Sequence, residues 1–150
     1  MDEIKELYQE IILDHNKNPK NYGELENYNY TSEGYNPLCG DRLNIYLQIE
    51  DQKIKDIRFV ASGCAISKAS ASVMTTVLKG KSIEEAKELF KKFQKLITTN
   101  AGDEPDFKEY GKLAVFAGVR EFPTRVKCAS LGWHTVIAAL EDKNEMVTTE

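Results

Sequence analysis

The stretch that decides the fold is residues 36–49, NPLCGDRLNIYLQI. From Leu43 onward apolar residues alternate with polar ones, and this two-residue period is typical of a strand that buries one face. Just before the strand, Cys39 and Asp41 flank Gly40. Because glycine adopts backbone angles that other residues resist, a Cys-Gly-Asp turn can direct both side chains toward one ion. The stretch therefore predicts a strand with a metal-binding corner at its start.

The chain after this strand carries signals for a second strand and for helices. Ile57, Phe59 and Ala61 predict the second strand, and the short connection before it makes the pair antiparallel. The last predicted helix is expected to break near Gly132. Apolar residues at helical spacing and helix-end signals predict five helices, over about residues 2–16, 65–79, 83–97, 113–119 and 123–142.

Two polar stretches, residues 20–35 and 99–112, are predicted to be loops or irregular edge structure. Together with the strands and helices they give an α+β fold, in which helices pack on one face of a small antiparallel sheet. A chain of 150 residues with 41% hydrophobic and 29% charged residues suits one domain, which we expect to span residues 1–150.

Composition also limits the partners. The net charge of −4 gives no basic footprint for nucleic acid. No stretch approaches the roughly 20 apolar residues of a membrane span, and the acidic N-terminus lacks the apolar segment of a signal peptide. We therefore expect a cytoplasmic protein that binds neither nucleic acid nor membrane.

The three cysteines lie at the edges of predicted elements. Cys39 precedes a strand, Cys64 joins a strand to a helix, and Cys128 lies near the beginning of the last helix. An odd number excludes a fully paired disulfide framework, and a reducing compartment keeps thiols free for metal binding or catalysis. Helix N-termini stabilise anions, so the pKa of the Cys64 and Cys128 thiols is expected below about 8.5.

We predict that Cys39, Asp41, Cys64 and Cys128 converge on one metal ion. Three thiolates and a carboxylate fit the tetrahedral preference of zinc. The sequence contains no CxxC pair, and three separate buried cysteines remain the alternative at this point. Basic residues close to the ligands in sequence would offset their negative charge or steer an incoming sulfur donor: Arg42, Arg125 and Lys127.

The motifs around these residues resemble the NifU N-terminal/IscU superfamily of iron–sulfur cluster assembly proteins, and within it the SufU branch. IscU-type scaffolds carry a histidine directly before the third cysteine, whereas this chain has Lys127, and the polar segment 99–112 looks like an extra segment of the SufU branch. The resemblance implies a SufE/NifU-like fold: a three-stranded antiparallel sheet packed against several helices. It covers almost the whole chain, through residues 7–8 (LY), 12–15 (ILDH), 18–19 (NP), 36–41 (NPLCGD), 63–67 (GCAIS) and 122–129 (FPTRVKCA).

The SufU resemblance implies a zinc-dependent sulfur acceptor or carrier in iron–sulfur cluster assembly. Such a protein takes persulfide sulfur from a SufS-type cysteine desulfurase and serves downstream assembly machinery; it is a sulfurtransferase-like partner rather than a stand-alone enzyme. We expect Cys39 to be the persulfide acceptor, because its loop should be the most exposed. Asp41 would tune how readily the site opens, since a carboxylate is a more exchangeable ligand than a thiolate.

Two alternatives stay open. In the first, the protein is an IscU-like scaffold on which a [2Fe–2S] cluster is assembled on the same ligands, so the cofactor is iron or the cluster instead of Zn²⁺. In the second, the site is a structural zinc or part of an interaction module without sulfur chemistry.

Overall fold

A sheet of three long antiparallel strands, covered by helices on one face, forms the frame of the molecule. The computed structural model describes residues 2–99, 107–141 and 147–148. This architecture confirms the predicted α+β class. The elements are, in chain order, α1 Asp2–Lys17, β1 Tyr30–Asn36, β2 Asp41–Glu50, β3 Lys53–Ser62, α2 Ala65–Leu78, α3 Ile83–Thr98, α4 Phe107–Tyr110, a 3₁₀ helix Gly111–Glu121, α5 Pro123–Leu140 and β4 Val147–Thr148.

The central strand is β2, which pairs with β1 on one side and β3 on the other, both antiparallel. The predicted alternation is confirmed: Leu43 is buried under the helices and its neighbour Arg42 is exposed on the outer face. Asp51 and Gln52 have φ angles of 52° and 64°. Two consecutive positive φ angles are typical of the two-residue hairpin turn that matches the twist of a sheet, and they fix the β2–β3 register.

Strand β1 corrects the prediction that residues 20–35 are loop. Its inward positions carry small or polar residues, Ser32, Gly34 and Asn36, so the strand has no apolar alternation to read. The physical reason is the close approach of α5: a Cβ at Gly34 would overlap the Thr135 hydroxyl and press on Leu131. Beyond β1, the two residues of β4 pair in parallel with it.

Helix α5 is continuous, so the predicted break near Gly132 is wrong. Gly132 is buried, and a Cβ there would lie 3.3 Å from the Cβ of Ala71 in α2. The glycine therefore permits close helix packing and does not end the helix. Among the described residues, no helix is long and apolar enough to cross a bilayer.

The predicted helix 113–119 is longer and of a different kind. It is the 3₁₀ helix that follows α4, and its inward side chains, including Phe116, are fully or nearly buried. The predicted loop 99–112 lies partly outside the described residues, at 100–106; its last residues are helical, and Tyr110 is buried.

The last turn of α1 and the segment after it are bound to α2 by polar contacts. His15 Nδ1 lies 2.7 Å from Ser72 Oγ, and the same hydroxyl accepts the Lys20 N–H at 2.8 Å. Asn21 Nδ2 donates to Thr75 Oγ1 at 3.0 Å. Ser72 and Thr75 are fully buried, so these bonds satisfy groups that would be costly to leave unpaired.

The same segment covers the outer edge of β3. Gly23 N donates to Phe59 O at 2.8 Å, and Phe59 N donates to Asn21 O at 3.2 Å. The Tyr22 hydroxyl donates to Ala61 O at 3.0 Å and accepts from Ala61 N at 3.3 Å. The bonds pair backbone groups that an edge strand would otherwise leave exposed.

Replacing Gly34 by alanine should destabilise the protein, because the added Cβ overlaps the Thr135 hydroxyl. Overpacking of this kind typically costs about 1–3 kcal/mol of the free energy of unfolding. Urea denaturation followed by circular dichroism measures it. The control is Gly118→Ala, whose Cβ would meet nothing within 4 Å; equal stabilities of the two variants would contradict the proposed packing.

Stability should fall as the pH drops below about 6.5. Burial lowers the pKa of His15 from its ordinary value of 6.5, so the folded state binds fewer protons at this site than the unfolded state. The contribution is therefore full above pH 6.5 and is lost as the pH falls through the lowered pKa. Urea midpoints at several pH values between 7.5 and 5 test this, with His15→Gln as the comparison; an identical loss in both proteins would exclude His15 as a source.

Candidate metal centre

The predicted ligands meet at one end of the sheet, where the β1–β2 loop, the junction between β3 and α2, and the first two turns of α5 come together. The loop between β1 and β2 is closed by the pairing of Asn36 with Asp41. The end of β3 lies beside the start of β2, and the chain passes from there directly into α2. This topology brings together a loop residue, a strand residue, a helix cap and a residue in the second turn of α5: Cys39, Asp41, Cys64 and Cys128.

The distances between these side chains are short. The ligand atoms of Cys39, Asp41 and Cys128 all lie within 4.8 Å of one another. The Cys39 and Cys128 sulfurs are 3.2 Å apart, and Cys64 Sγ lies 3.4 Å from Asp41 Oδ2. All three cysteines are free thiols. The structure thus brings three of the four predicted ligands within 4.8 Å of one another, and the fourth, Cys64, joins them through its contact with Asp41. Their binding of a metal stays a prediction.

Asp41 is the most constrained member of the cluster. Its side chain is 0% exposed, and its Oδ1 accepts the backbone N–H of Cys64 at 2.7 Å. None of the ion pairs found among the described residues includes Asp41. A buried carboxylate is costly unless a positive charge or several hydrogen bonds balance it. With three thiols beside it, the donor set fits a divalent cation and matches the ligand chemistry of zinc.

Gly63 makes the contact between Asp41 and Cys64 possible. Its φ angle is +126°, and a Cβ at this position would overlap Asp41 Oδ1 and lie 2.7 Å from the Asp41 Cα. Any other residue would push the end of β3 away from the carboxylate. In the sequence, this role is visible only as the glycine directly before Cys64. The glycine is part of the motif 63–67, but the spacing of the predicted ligands gives no reason for it.

The thiols differ in acidity. Cys64 caps α2, and its sulfur accepts the Ser67 N–H at 3.4 Å. A hydrogen bond from Cys128, together with the Ser67 N–H, lowers the pKa of Cys64. The interaction with Cys64, followed by burial, raises the pKa of Cys128. The direction agrees with the predicted lowering of the pKa for Cys64 and differs from it for Cys128, whose pKa is raised first by its contact with Cys64 and then by burial.

Asn36 belongs to the site and had no predicted role. Its side chain is 0% exposed. Its Nδ2 donates to Cys128 Sγ at 3.6 Å, and its Oδ1 accepts the Leu38 N–H at 3.2 Å. The only signal in the sequence is an amide directly before Pro37, which is also an ordinary turn signal.

The basic residues near the ligands are placed differently from one another. Arg42 lies on the outer face of the sheet, 3.5 Å from Glu33 and above the Tyr35 ring, so the prediction that it offsets the charge of the site is wrong. The Arg125 guanidinium lies 4.4 Å from the centre of the exposed Phe122 ring at the start of α5. Lys127 is half-buried next to Cys128. Charge compensation by Arg125 and Lys127 stays a prediction.

Comparison with known proteins finds relatives over nearly the full chain. A protein named iron–sulfur cluster assembly scaffold protein IscU, from Streptococcus pyogenes, is 36% identical over 94% of this chain and 87% of its own length. A protein named zinc-dependent sulfurtransferase SufU, from Bacillus subtilis, is 40% identical over 85% of this chain and 84% of its own length.

A solved structure supports the same relationship. It comes from Fervidobacterium islandicum and is described as a candidate iron–sulfur cluster assembly scaffold protein for the SUF system. It superimposes with a TM-score of 0.79 at 38% identity and covers 87% of this chain and 94% of its own. The family model described as NifU-like N terminal domain matches residues 7–142. On sequence, fold and extent of the match, this chain belongs to the family of NifU-like N-terminal domains.

Proposed function

We propose that this protein is a zinc-dependent sulfur acceptor in iron–sulfur cluster assembly that takes persulfide sulfur from a SufS-type cysteine desulfurase. Cys39, Asp41, Cys64 and Cys128 would hold the Zn²⁺. The observation that carries the proposal is a fully buried carboxylate beside three free thiols, without an ion-pair partner among the described residues. Relatives named for iron–sulfur cluster assembly support the process, and the relative named zinc-dependent sulfurtransferase supports the metal and the chemistry.

Cys39 is the thiol best placed to accept sulfur from another protein. Cys39 and Cys64 are both half-buried, whereas Cys128 is only 2% exposed. Of the two half-buried thiols, Cys39 lies in the β1–β2 loop beside Leu38, which is 63% exposed, whereas Cys64 caps α2. When bound, zinc keeps its coordinating thiols deprotonated and protected. The Cys39 thiolate attacks the outer sulfur of the desulfurase persulfide, forming a new S–S bond on Cys39. The S–S bond of the donor breaks, and its electron pair leaves with the donor cysteine as thiolate.

The other residues of the site set how readily this happens. A carboxylate is a harder and more exchangeable zinc ligand than a thiolate, so Asp41 makes the centre easier to open than a four-thiolate site. The hydrogen bond from Cys64 N fixes the carboxylate in place. Arg125 and Lys127 lie at the start of α5 and place positive charge where an anionic persulfide arrives.

A second candidate function is assembly of a [2Fe–2S] cluster on the same four residues. The scaffold names of several relatives favour it, and thiolates with a carboxylate also accept iron. Lys127 stands where IscU-type scaffolds carry a histidine, which favours the sulfur-acceptor role. A structural zinc without sulfur chemistry is the third possibility, and the experiment below separates all three.

The purified protein should be colourless, contain about one zinc per chain, and acquire a persulfide on Cys39 when incubated with a SufS-type desulfurase and cysteine. Metal analysis, the visible spectrum and peptide mass spectrometry of one sample measure these three properties. Cys39→Ser should lose the persulfide. Leu38→Ala changes the same loop but keeps all four donors, so its label should remain on Cys39.

Each alternative has its own outcome. An unchanged persulfide yield in Cys39→Ser would show that another cysteine is the acceptor. A brown protein with charge-transfer bands and bound iron would favour the scaffold. Absence of persulfide together with an unchanged desulfurase rate would leave a structural zinc.

Replacing Gly63 by alanine should weaken zinc binding, because the Cβ displaces the Asp41 carboxylate and the Cys64 N–H that holds it. Loss of a residue that orients a metal ligand typically lowers affinity about 10- to 100-fold. Competition with a chromophoric chelator measures the affinity. Gly80→Ala is the matched control: Gly80 also has a positive φ, +86°, but its Cβ would meet nothing within 4 Å. A similar loss of affinity in both variants would indicate general destabilisation instead.

A further inference from the structure

We infer that Asn36 is a positioning residue that makes the two closest thiols unequal: it holds Cys128 as the anchored sulfur and leaves Cys39 as the reactive one. The inference rests on the proposed function, in which sulfur must arrive on Cys39. It adds a residue outside the ligand set and assigns it a chemical role.

The geometry of the Asn36 amide carries the inference. It is completely buried at the last position of β1, directly opposite Asp41 in the first position of β2. The loop between these two residues carries Cys39. From this place the amide contacts the loop backbone at Leu38 N, 3.2 Å away, and the Cys128 sulfur, 3.6 Å away.

The orientation of the amide follows from its partners. The Leu38 N–H is a donor, so the side-chain carbonyl of Asn36 must face it. The NH₂ group is then directed at Cys128, and sulfur is its acceptor. One side chain thus fixes the loop and donates a hydrogen bond to one of the two neighbouring sulfurs.

The hydrogen bond changes the chemistry of Cys128. An N–H···S bond withdraws electron density from a sulfur that is already deprotonated, as a zinc-bound thiolate would be, so that sulfur becomes a weaker nucleophile. This matters because the Cys39 and Cys128 sulfurs are only 3.2 Å apart. Sulfur that passed to Cys128 would be trapped on a residue with 2% exposure. Asn36 therefore keeps the incoming sulfur on the thiol that a partner can reach.

The test is residue-resolved alkylation. Wild type and Asn36→Leu, both loaded with zinc so that their thiols are deprotonated, are treated with iodoacetamide, and peptide mass spectrometry follows the labelling rates of Cys39 and Cys128. Leucine has the same branched arrangement of heavy atoms as asparagine, although its methyl groups are larger, and it offers no hydrogen bond. The ratio of Cys39 to Cys128 labelling should fall about fivefold to tenfold in the variant, the effect of losing one hydrogen bond of ordinary strength. Asn44→Leu, on the outer face of β2, should keep the wild-type ratio.

A second variant and a spectroscopic signal separate the sulfur bond from the loop contact. Asn36→Asp keeps an acceptor for Leu38 N but presents no N–H to Cys128. Its labelling ratio should fall at least as far as that of Asn36→Leu. In the Co²⁺-substituted proteins the thiolate-to-cobalt charge-transfer band should move to lower energy in both variants, because the sulfur carries more electron density.

The outcomes decide the inference in every case. An unchanged ratio and an unmoved cobalt band in both variants would overturn it, and so would wild-type behaviour of Asn36→Asp, which would assign the effect to the loop contact. If Asn36→Leu does not fold, the isosteric Asn36→Asp decides. If Cys39 never becomes persulfidated, the proposed function fails, whereas the labelling ratio of the zinc-loaded protein still decides the role of Asn36.

Discussion

The structure depends on one hydrogen bond, from the backbone N–H of Cys64 to the buried carboxylate of Asp41. It joins the first residue of the central strand to the cap of α2. Because Gly63 lies between that cap and the last residue of β3, the bond also fixes the end of β3. A carboxylate with no exposure must be compensated, and one amide is a small part of that compensation. The fold thus presents a buried carboxyl group next to three thiols, a donor set that matches the ligand chemistry of zinc.

The sequence predicts the parts of the fold where burial and residue type agree. Strand β2 alternates because one face is covered and the other is open, and the hairpin to β3 follows from its short connection. Strand β1 shows no apolar alternation in the sequence, because α5 lies so close to it that its inner face carries only Ser32, Gly34 and Asn36. The prediction of a helix break at Gly132 is wrong for the same reason. In the sequence, a glycine that lets a neighbouring helix pack closely cannot be told apart from a glycine that ends a helix.

The candidate site shows a similar division. The motifs around the cysteines predict which residues meet, since each lies at the end of an element. They do not predict the raised pKa of Cys128, which comes from its contact with Cys64 and from its burial, or the contacts of Asn36, which need the packed structure. Arg42 is different: it follows Asp41 in a strand, so the two side chains must point to opposite faces, and strict use of the alternation would have excluded it.

The segment that covers β3 has a consequence for communication within the molecule. Tyr22 is bonded to Ala61, shortly before Cys64, and His15 is bonded to Ser72 in the helix that Cys64 caps. The N-terminal segment and the ligand cluster therefore share the same two supports. A substitution that loosens β3 or α2 therefore disturbs both the chain around Tyr22 and His15 and the position of Cys64.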